Sequence, residues 1–124
     1  MKVSGFYAGK AKNVQEMVII SDHTFDELVD HGFTFTNRGA TAPVTLTLPP
    51  AKPGMKVKGY VGAACDFRMK PAACDYVALP SSGAYGAADK YISADAVGES
   101  VELYCEETGK WSVRNYIGTW TKES

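Results

Sequence analysis

The sequence predicts an all-β domain: a small antiparallel β-sandwich or barrel with an extended N-terminal arm and one short helical turn. Apolar and polar residues alternate along several short segments, a pattern typical of strands with one buried and one wet face. Prolines and glycines separate these segments, and a hairpin pattern lies near the C-terminus. We expect about seven or eight short strands.

The first twenty residues differ from the rest of the chain. Residues 1–12 contain glycines and lysines with two aromatic residues, Phe6 and Tyr7, and the short apolar segment that follows fits neither a strand nor a helix period. We therefore divide the chain into an N-terminal arm, residues 1–20, and a β-rich domain, residues 21–124.

A short helical turn is predicted directly after the arm. Thr24 and Glu27 have the spacing of the N-cap and N3 residues of a capping box, and Gly32 suits a helix end. The turn should cover about residues 25–31.

Period-two alternation begins after Gly32 and predicts strands around residues 33–36, 44–48 and 55–61. Two copies of an Ala-Ala-Cys-Asp-aromatic pattern follow, with their cysteines at Cys65 and Cys74. We interpret the copies as two similar strands that place both cysteines in equivalent core positions.

The C-terminal hairpin is the clearest local pattern. Its loop, residues 107–109, ends in a glycine suited to the left-handed conformation. One register buries the apolar residues and also pairs opposite charges across the strands. The predicted neighbours are Cys105 with Trp111 and Leu103 with Val113 in the core, and Glu106 with Lys110 and Glu102 with Arg114 on the wet face.

Composition argues against several classes of partner. The 13 Lys+Arg and 14 Asp+Glu residues nearly balance and form no basic cluster, so we expect no nucleic acid. The longest apolar run, residues 17–20, is too short to span a membrane, and we expect folding in a cytoplasm. Three cysteines without a signal peptide or a Cys-x-x-Cys pair predict free thiols and no zinc site.

No pattern in the chain predicts catalysis. A phosphate-binding loop and a nucleophile elbow are both absent from the sequence. His23 and His31 lie near three aspartates, where a weak metal site is conceivable, but a solvated acidic turn is the favoured interpretation. We expect no enzyme, no cofactor and no bound metal.

Aromatic residues in the arm, in a glycine-rich loop and in the C-terminal region suggest contact surfaces for a partner protein or a glycan. Tyr104 and Tyr116 both fall on the wet face of the hairpin in the predicted register. The interface candidates are Phe6, Tyr7, Lys10, Tyr85, Tyr104, Tyr116 and Trp120.

The order of several segments resembles a β-domain that recurs in virion structural proteins of tailed bacteriophages. The resemblance covers about residues 32–120 and involves no catalytic residue. It rests on GFTFTNRGA (32–40), VTLTLPP (44–50), KYIS (90–93), GESVEL (98–103), GKWSV (109–113) and GTW (118–120).

The resemblance implies an assembly role within a virion that is put together in the host cytoplasm. The expected function is a capsid decoration (cement) protein that stabilises the head shell, and the alternative is a head- or tail-fibre module that binds host glycans. It also implies a homotrimer and contact with the major capsid protein or another virion protein. The arm would then strap onto neighbouring subunits.

Overall fold

The computed structural model describes residues 16–27 and 30–123, which form eleven short strands and no helix. Their order confirms the predicted all-β class. The strands are β1 (Glu16–Val18), β2 (His23–Thr24), β3 (Thr34–Thr36), β4 (Val44–Thr47), β5 (Lys56–Tyr60), β6 (Phe67–Lys70), β7 (Tyr76–Val77), β8 (Ile92–Ala94), β9 (Ser100–Glu107), β10 (Lys110–Ile117) and β11 (Thr121–Lys122).

Two mixed sheets form a small β-sandwich. The six-stranded sheet has the order β1-β3-β5-β9-β10-β7, and the five-stranded sheet has the order β11-β8-β6-β4-β2. The pairing is not purely antiparallel as predicted, because β1–β3, β3–β5, β2–β4, β4–β6 and β7–β10 are parallel. Successive strands from β1 to β9 alternate between the sheets, so neighbours within a sheet are second neighbours along the chain and often run the same way.

The core lies between the two sheets. Alternate residues of each strand point inward, and large apolar side chains from both sheets are fully buried. The six-stranded sheet contributes Phe35, Val57, Leu103 and Trp111, and the five-stranded sheet contributes Leu46, Phe67, Met69 and Ile92.

The β-rich domain begins no later than Glu16, so the boundary predicted after Ile20 is too late. Strand β1 pairs with β3, and the backbone N–H of Ile19 donates to the carbonyl of Thr36 at 2.8 Å. Ile19 itself is buried in the core. Residues 1–15 of the predicted arm lie outside the described residues.

A helical turn was predicted for residues 25–31. Among the described residues of this range, the structure has one backbone hydrogen bond of the helical type and no assigned helix. The Asp30 N–H donates to the Asp26 carbonyl at 2.8 Å, while Thr24, the predicted N-cap, lies in strand β2. Residues 28 and 29 lie outside the described residues.

The hairpin has its predicted core register, with Cys105 opposite Trp111 and Leu103 opposite Val113. Its charge pairs are wrong, because each end of the hairpin carries an irregularity. Glu102 lies opposite Asn115 rather than Arg114, and Lys110 lies opposite Glu107 rather than Glu106.

The two cysteines of the internal repeat do not occupy core positions. Cys65 is only partly buried, and Cys74 is exposed with a positive φ of 71°. In both copies the cysteine lies in a turn and the strand starts at the following aromatic residue, Phe67 or Tyr76. All three thiols are free, and only Cys105 is a buried apolar filler.

Candidate protein interface

The outer face of the five-stranded sheet is polar. Cross-strand neighbours in each row of this face carry hydroxyl, ammonium or guanidinium groups. Its outward residues are Thr24, Thr45, Thr47, Arg68, Lys70, Ser93 and Thr121. This face is suited to contact with water.

One end of the six-stranded sheet is apolar on its surface. Six large apolar side chains are exposed in the part of the chain that the structure describes, from 37% for Tyr60 to 64% for Ile20. Along the chain, all six lie within three residues of one row of cross-strand neighbours that runs from Val18 on β1 to Ile117 on β10. We call this surface the apolar end; it consists of Val18, Ile20, Tyr60, Val97, Tyr116 and Ile117.

Strand register brings the apolar end together. Val18 pairs with Thr36, Thr36 with Tyr60, Tyr60 with Ser100, and Ser100 with Ile117. Residues directly opposite each other share a face of a sheet, so Val18, Tyr60 and Ile117 all project outward. They come from three distant parts of the sequence and lie in one row, with the buried Thr36 between Val18 and Tyr60 and the half-buried Ser100 between Tyr60 and Ile117.

The loop that carries Val97 is fixed to the same end of the sheet. The Gly98 N–H donates to the Val61 carbonyl at 2.9 Å, and the Val61 N–H donates to the Glu99 carbonyl at 2.8 Å. The Glu99 carboxylate accepts the backbone N–H groups of Ala96 and Thr119 at 3.0 and 2.7 Å. Val97 is therefore held beside β5 and β9.

An ion pair borders the apolar end at the edge strand. The guanidinium of Arg38 donates two hydrogen bonds to the carboxylate of Glu16, at 2.7 and 2.9 Å. These bonds lower the pKa of Glu16 and raise that of Arg38. The fork geometry ties β1 to the turn after β3, although both side chains are solvent-accessible.

An acidic cavity of about 170 Å³ lies between the loop that carries Val97 and the polar sheet, whose residues Ser93 and Thr121 line it. Asp66, Asp95 and Glu99 line it together with hydroxyl-bearing residues of β8 and the C-terminal segment. Arg68 lies 3.4 Å from Asp66 and offsets part of this charge, while Asp95 is exposed. The surface around the apolar end thus combines aliphatic and carboxylate groups.

Trp120, one of the predicted interface residues, is buried with 3% of its surface exposed. Its indole N–H is shared between the carbonyls of Ser100 and Ile117, at 3.0 and 3.3 Å. Trp120 therefore anchors the C-terminal segment under the hairpin and offers no free aromatic face.

The wet face of the hairpin differs from the prediction because of its bulge. Val101, whose side chain is in the core, lies opposite Tyr116, so Tyr116 shares the inner face at the margin of the sheet and Ile117 takes the outward position. Tyr104 does project outward, but its ring is covered by the Arg114 guanidinium, 3.9 Å from the ring centroid.

Tyr85 lies away from the apolar end. It is half-buried, its ring meets that of Tyr76 edge-on at 6.5 Å, and the Lys110 ammonium lies 5.4 Å from its centroid. Burial raises the pKa of Tyr85. The arm candidates Phe6, Tyr7 and Lys10 lie outside the described residues, and their role stays a prediction.

Sequence reasoning missed five members of the apolar end: Val18, Ile20, Tyr60, Val97 and Ile117. Tyr60 was detectable, since the alternation around Lys56 and Lys58 already places it on a wet face. Ile117 was not detectable, because an unseen bulge changes the face of every later residue in the strand.

His23 is not among the described residues that line the groove at His31. His31 lines a groove of about 450 Å³ with Phe33, Met55, Lys56 and Lys58, while His23 packs near Phe35 with ring centroids 6.0 Å apart. No carboxylate or thiol is among the described residues lining that groove.

Of the three aspartates near the histidines, Asp22 and Asp26 are exposed as predicted for a solvated turn, but Asp30 is not. Asp30 is only 1% exposed, and its Oδ2 lies 2.7 Å from His23 Nε2 and accepts the Asp26 N–H at 2.8 Å. Asp22 instead accepts the backbone N–H of Thr45 at 2.9 Å. Within residues 16–27 and 30–123, no three His, Cys, Asp or Glu side chains are grouped to hold a metal ion.

The structure shows no helix long and apolar enough to cross a membrane in its described residues. No family model matches the chain, and no curated protein matches it either.

Proposed function

We propose that this chain is a structural assembly protein that binds other protein subunits through its apolar end. The bacteriophage resemblance makes capsid decoration the specific form of this proposal, with the protein attached to an assembled head shell. The proposal assigns no chemical reaction to the domain.

The contrast between the two outer faces carries the proposal. Isolated apolar side chains are normal on protein surfaces, whereas grouped ones mark sites of interaction. Here the exposed large apolar residues gather at one end of one sheet, while the outward residues of the other sheet are polar. A surface that contacted only water would not need its exposed apolar side chains grouped at one end.

The shape of the apolar end favours a protein partner over a glycan. Sugar binding through aromatic side chains needs open ring faces, but Trp120 is buried and the ring of Tyr104 is covered by Arg114. The exposed set consists mainly of aliphatic residues and has Tyr60 at its centre. Aliphatic rows of this kind suit packing against another protein surface.

Co-sedimentation with purified bacteriophage head shells, the proposed partner of this chain, tests the proposal. We expect the full chain to pellet with assembled shells in a fixed stoichiometry. Ile117→Asp should weaken this binding by about tenfold or more, because it places a charge in the apolar contact.

Thr24→Asp is the matched control, because it introduces the same carboxylate on an exposed edge strand of the polar sheet. It should bind shells as well as the parent protein. The proposal fails if the parent protein leaves the shells unbound, or if Ile117→Asp binds with unchanged affinity. Binding of the parent protein to host glycans instead of shells would favour the fibre alternative.

A further inference from the structure

We propose that residues 1–15 of a second copy of this chain dock on the apolar end and its acidic cavity. This inference rests on the proposed function, since it identifies one partner of the same surface. In this arrangement, the N-terminal segments link the copies to one another.

The distribution of charge along the chain supports this occupant. Residues 1–15 hold three of the 13 Lys+Arg residues and none of the 14 Asp+Glu residues, so they carry three positive charges. The remaining 109 residues hold ten Lys+Arg against fourteen Asp+Glu, a net charge of −4. The segment and the domain therefore attract each other.

The order of residues in the segment matches the two parts of the surface. Phe6 and Tyr7 come shortly before Lys10 and Lys12 in the sequence. On the surface, Ile117 of the apolar end is two residues from Thr119, which lines the acidic cavity. An aromatic pair can thus cover aliphatic side chains while the following ammonium groups meet the carboxylates.

The direction of β1 favours a second copy over the same copy. The chain enters β1 at Glu16 and runs toward the apolar end, so residues 1–15 of the same copy would have to reverse direction to reach this surface. Fifteen residues can span at most about 50 Å when extended, which is enough to reach a neighbouring domain. Such an exchange joins copies into a closed ring if each segment reaches the next domain around an axis.

Zero-length carbodiimide cross-linking of the full chain tests this inference. Unlabelled and ¹⁵N-labelled protein are mixed, cross-linked and analysed by mass spectrometry, so that links between copies show mixed isotopes. We expect mixed-isotope links from Lys10 or Lys12 to Asp66, Asp95 or Glu99. The inference is overturned if these links are absent or occur only within one copy.

Charge reversal adds a matched control in the full chain. Lys10→Glu with Lys12→Glu should raise the dissociation constant for self-association, measured by sedimentation, by about tenfold or more. Lys56→Glu with Lys58→Glu makes the same charge change on β5 of the acidic domain and should not raise that constant. An equal rise of the dissociation constant in both pairs would overturn the inference.

The same variants separate this inference from the proposed function. If self-association and the cross-links are absent while shells still bind the protein and lose it on Ile117→Asp, the inference fails and the proposed function stands. If shells are never bound but the mixed-isotope links form, the proposed function fails and the inference holds for the isolated protein.

Discussion

Asn37 stabilises the turn that leads away from strand β5. Its side chain is fully buried and bonds four backbone groups of one loop. Its Oδ1 accepts the N–H groups of Gly62 and Ala63 at 2.8 and 3.1 Å, and its Nδ2 donates to the carbonyls of Ala63 and Cys65 at 3.4 and 3.1 Å. The Asn37 side chain thereby supplies the hydrogen bonds that a neighbouring strand would give to this loop.

Asn37→Ala should lower the free energy of unfolding by about 2–4 kcal/mol, because it leaves buried backbone groups without partners. Thr108→Ala, at the exposed tip of the hairpin, is the control and should change the free energy by less than about 0.5 kcal/mol. Urea denaturation measures both values. Equal stability of the two variants would show that the loop finds other partners.

Cys105 makes stability depend on pH on the alkaline side. Burial raises the pKa of its thiol above the ordinary value of 9.0. Above that pH the unfolded chain releases a proton that the folded protein retains, so stability is complete below about pH 9 and falls as the pH rises. Burial lowers the pKa of Lys122, and this shift makes stability rise with pH. The parent protein and the cysteine variants all retain Lys122, so its contribution is the same in each.

Cys105→Val should therefore flatten the decline of stability between pH 9 and the folded-state pKa of the thiol. Urea midpoints measured at several pH values give this slope, and Cys74→Val, at an exposed turn position, is the control. An unchanged slope in Cys105→Val would mean that other groups cause the alkaline loss.

At the scale of elements, the spacing between the sheets depends on Gly59 of β5. Gly59 lies between the inward residues Phe35 and Val101 on neighbouring strands. A Cβ atom at this position would lie 2.8 Å from Met69 Sδ and 2.9 Å from Phe67 Cε2, closer than carbon atoms approach in proteins. Met69 and Phe67 of the opposite sheet can pack against β5 at this position because Gly59 has no side chain.

Gly59→Ala should cost about 1–3 kcal/mol of unfolding free energy, because the core must shift to admit one methyl group. Met69→Val in the same chain removes the flexible end of one obstructing side chain and should recover part of that loss. A double-mutant cycle in urea measures the coupling. Additive losses would indicate that the two positions do not meet.

Local patterns predicted the all-β class, several strands and the core register of the hairpin. They could not predict the partners of those strands, because β1 to β9 alternate between the two sheets and each pairs with a strand distant in sequence. The bulge opposite Glu102 was equally hidden, since a regular register also gave plausible charge pairs. The misplacement of Tyr116 and the omission of Ile117 both follow from that bulge.

The aromatic residues chosen from the sequence show a related difficulty. Their residue types suggest that Trp120 and Tyr104 contact a partner. In the structure, however, the indole of Trp120 is buried and donates to a backbone carbonyl, and the ring of Tyr104 is covered by Arg114. Neither contact has a local sequence pattern. Only Tyr116 among the predicted residues belongs to the apolar end.

The sandwich has one polar outer face, on the five-stranded sheet, and one apolar end that is suited to contact with another protein. The outward hydroxyl and charged groups of the five-stranded sheet need no cover, whereas the apolar end gains free energy from leaving water. In the proposed assembly, the carboxylates of the acidic cavity would favour a basic partner surface. The proposed assembly role therefore requires that the apolar end is covered when the protein binds its partner.

Hydroxyl-radical footprinting of the full chain, first dilute and then mixed with the proposed head shells, tests whether the apolar end is covered on binding. We expect oxidation of Tyr60, Tyr116 and Ile117 to fall on binding, while Thr45 and Lys70 on the opposite face keep their reactivity. Loss of reactivity on the polar face, with the apolar end still oxidised in the bound state, would contradict the account.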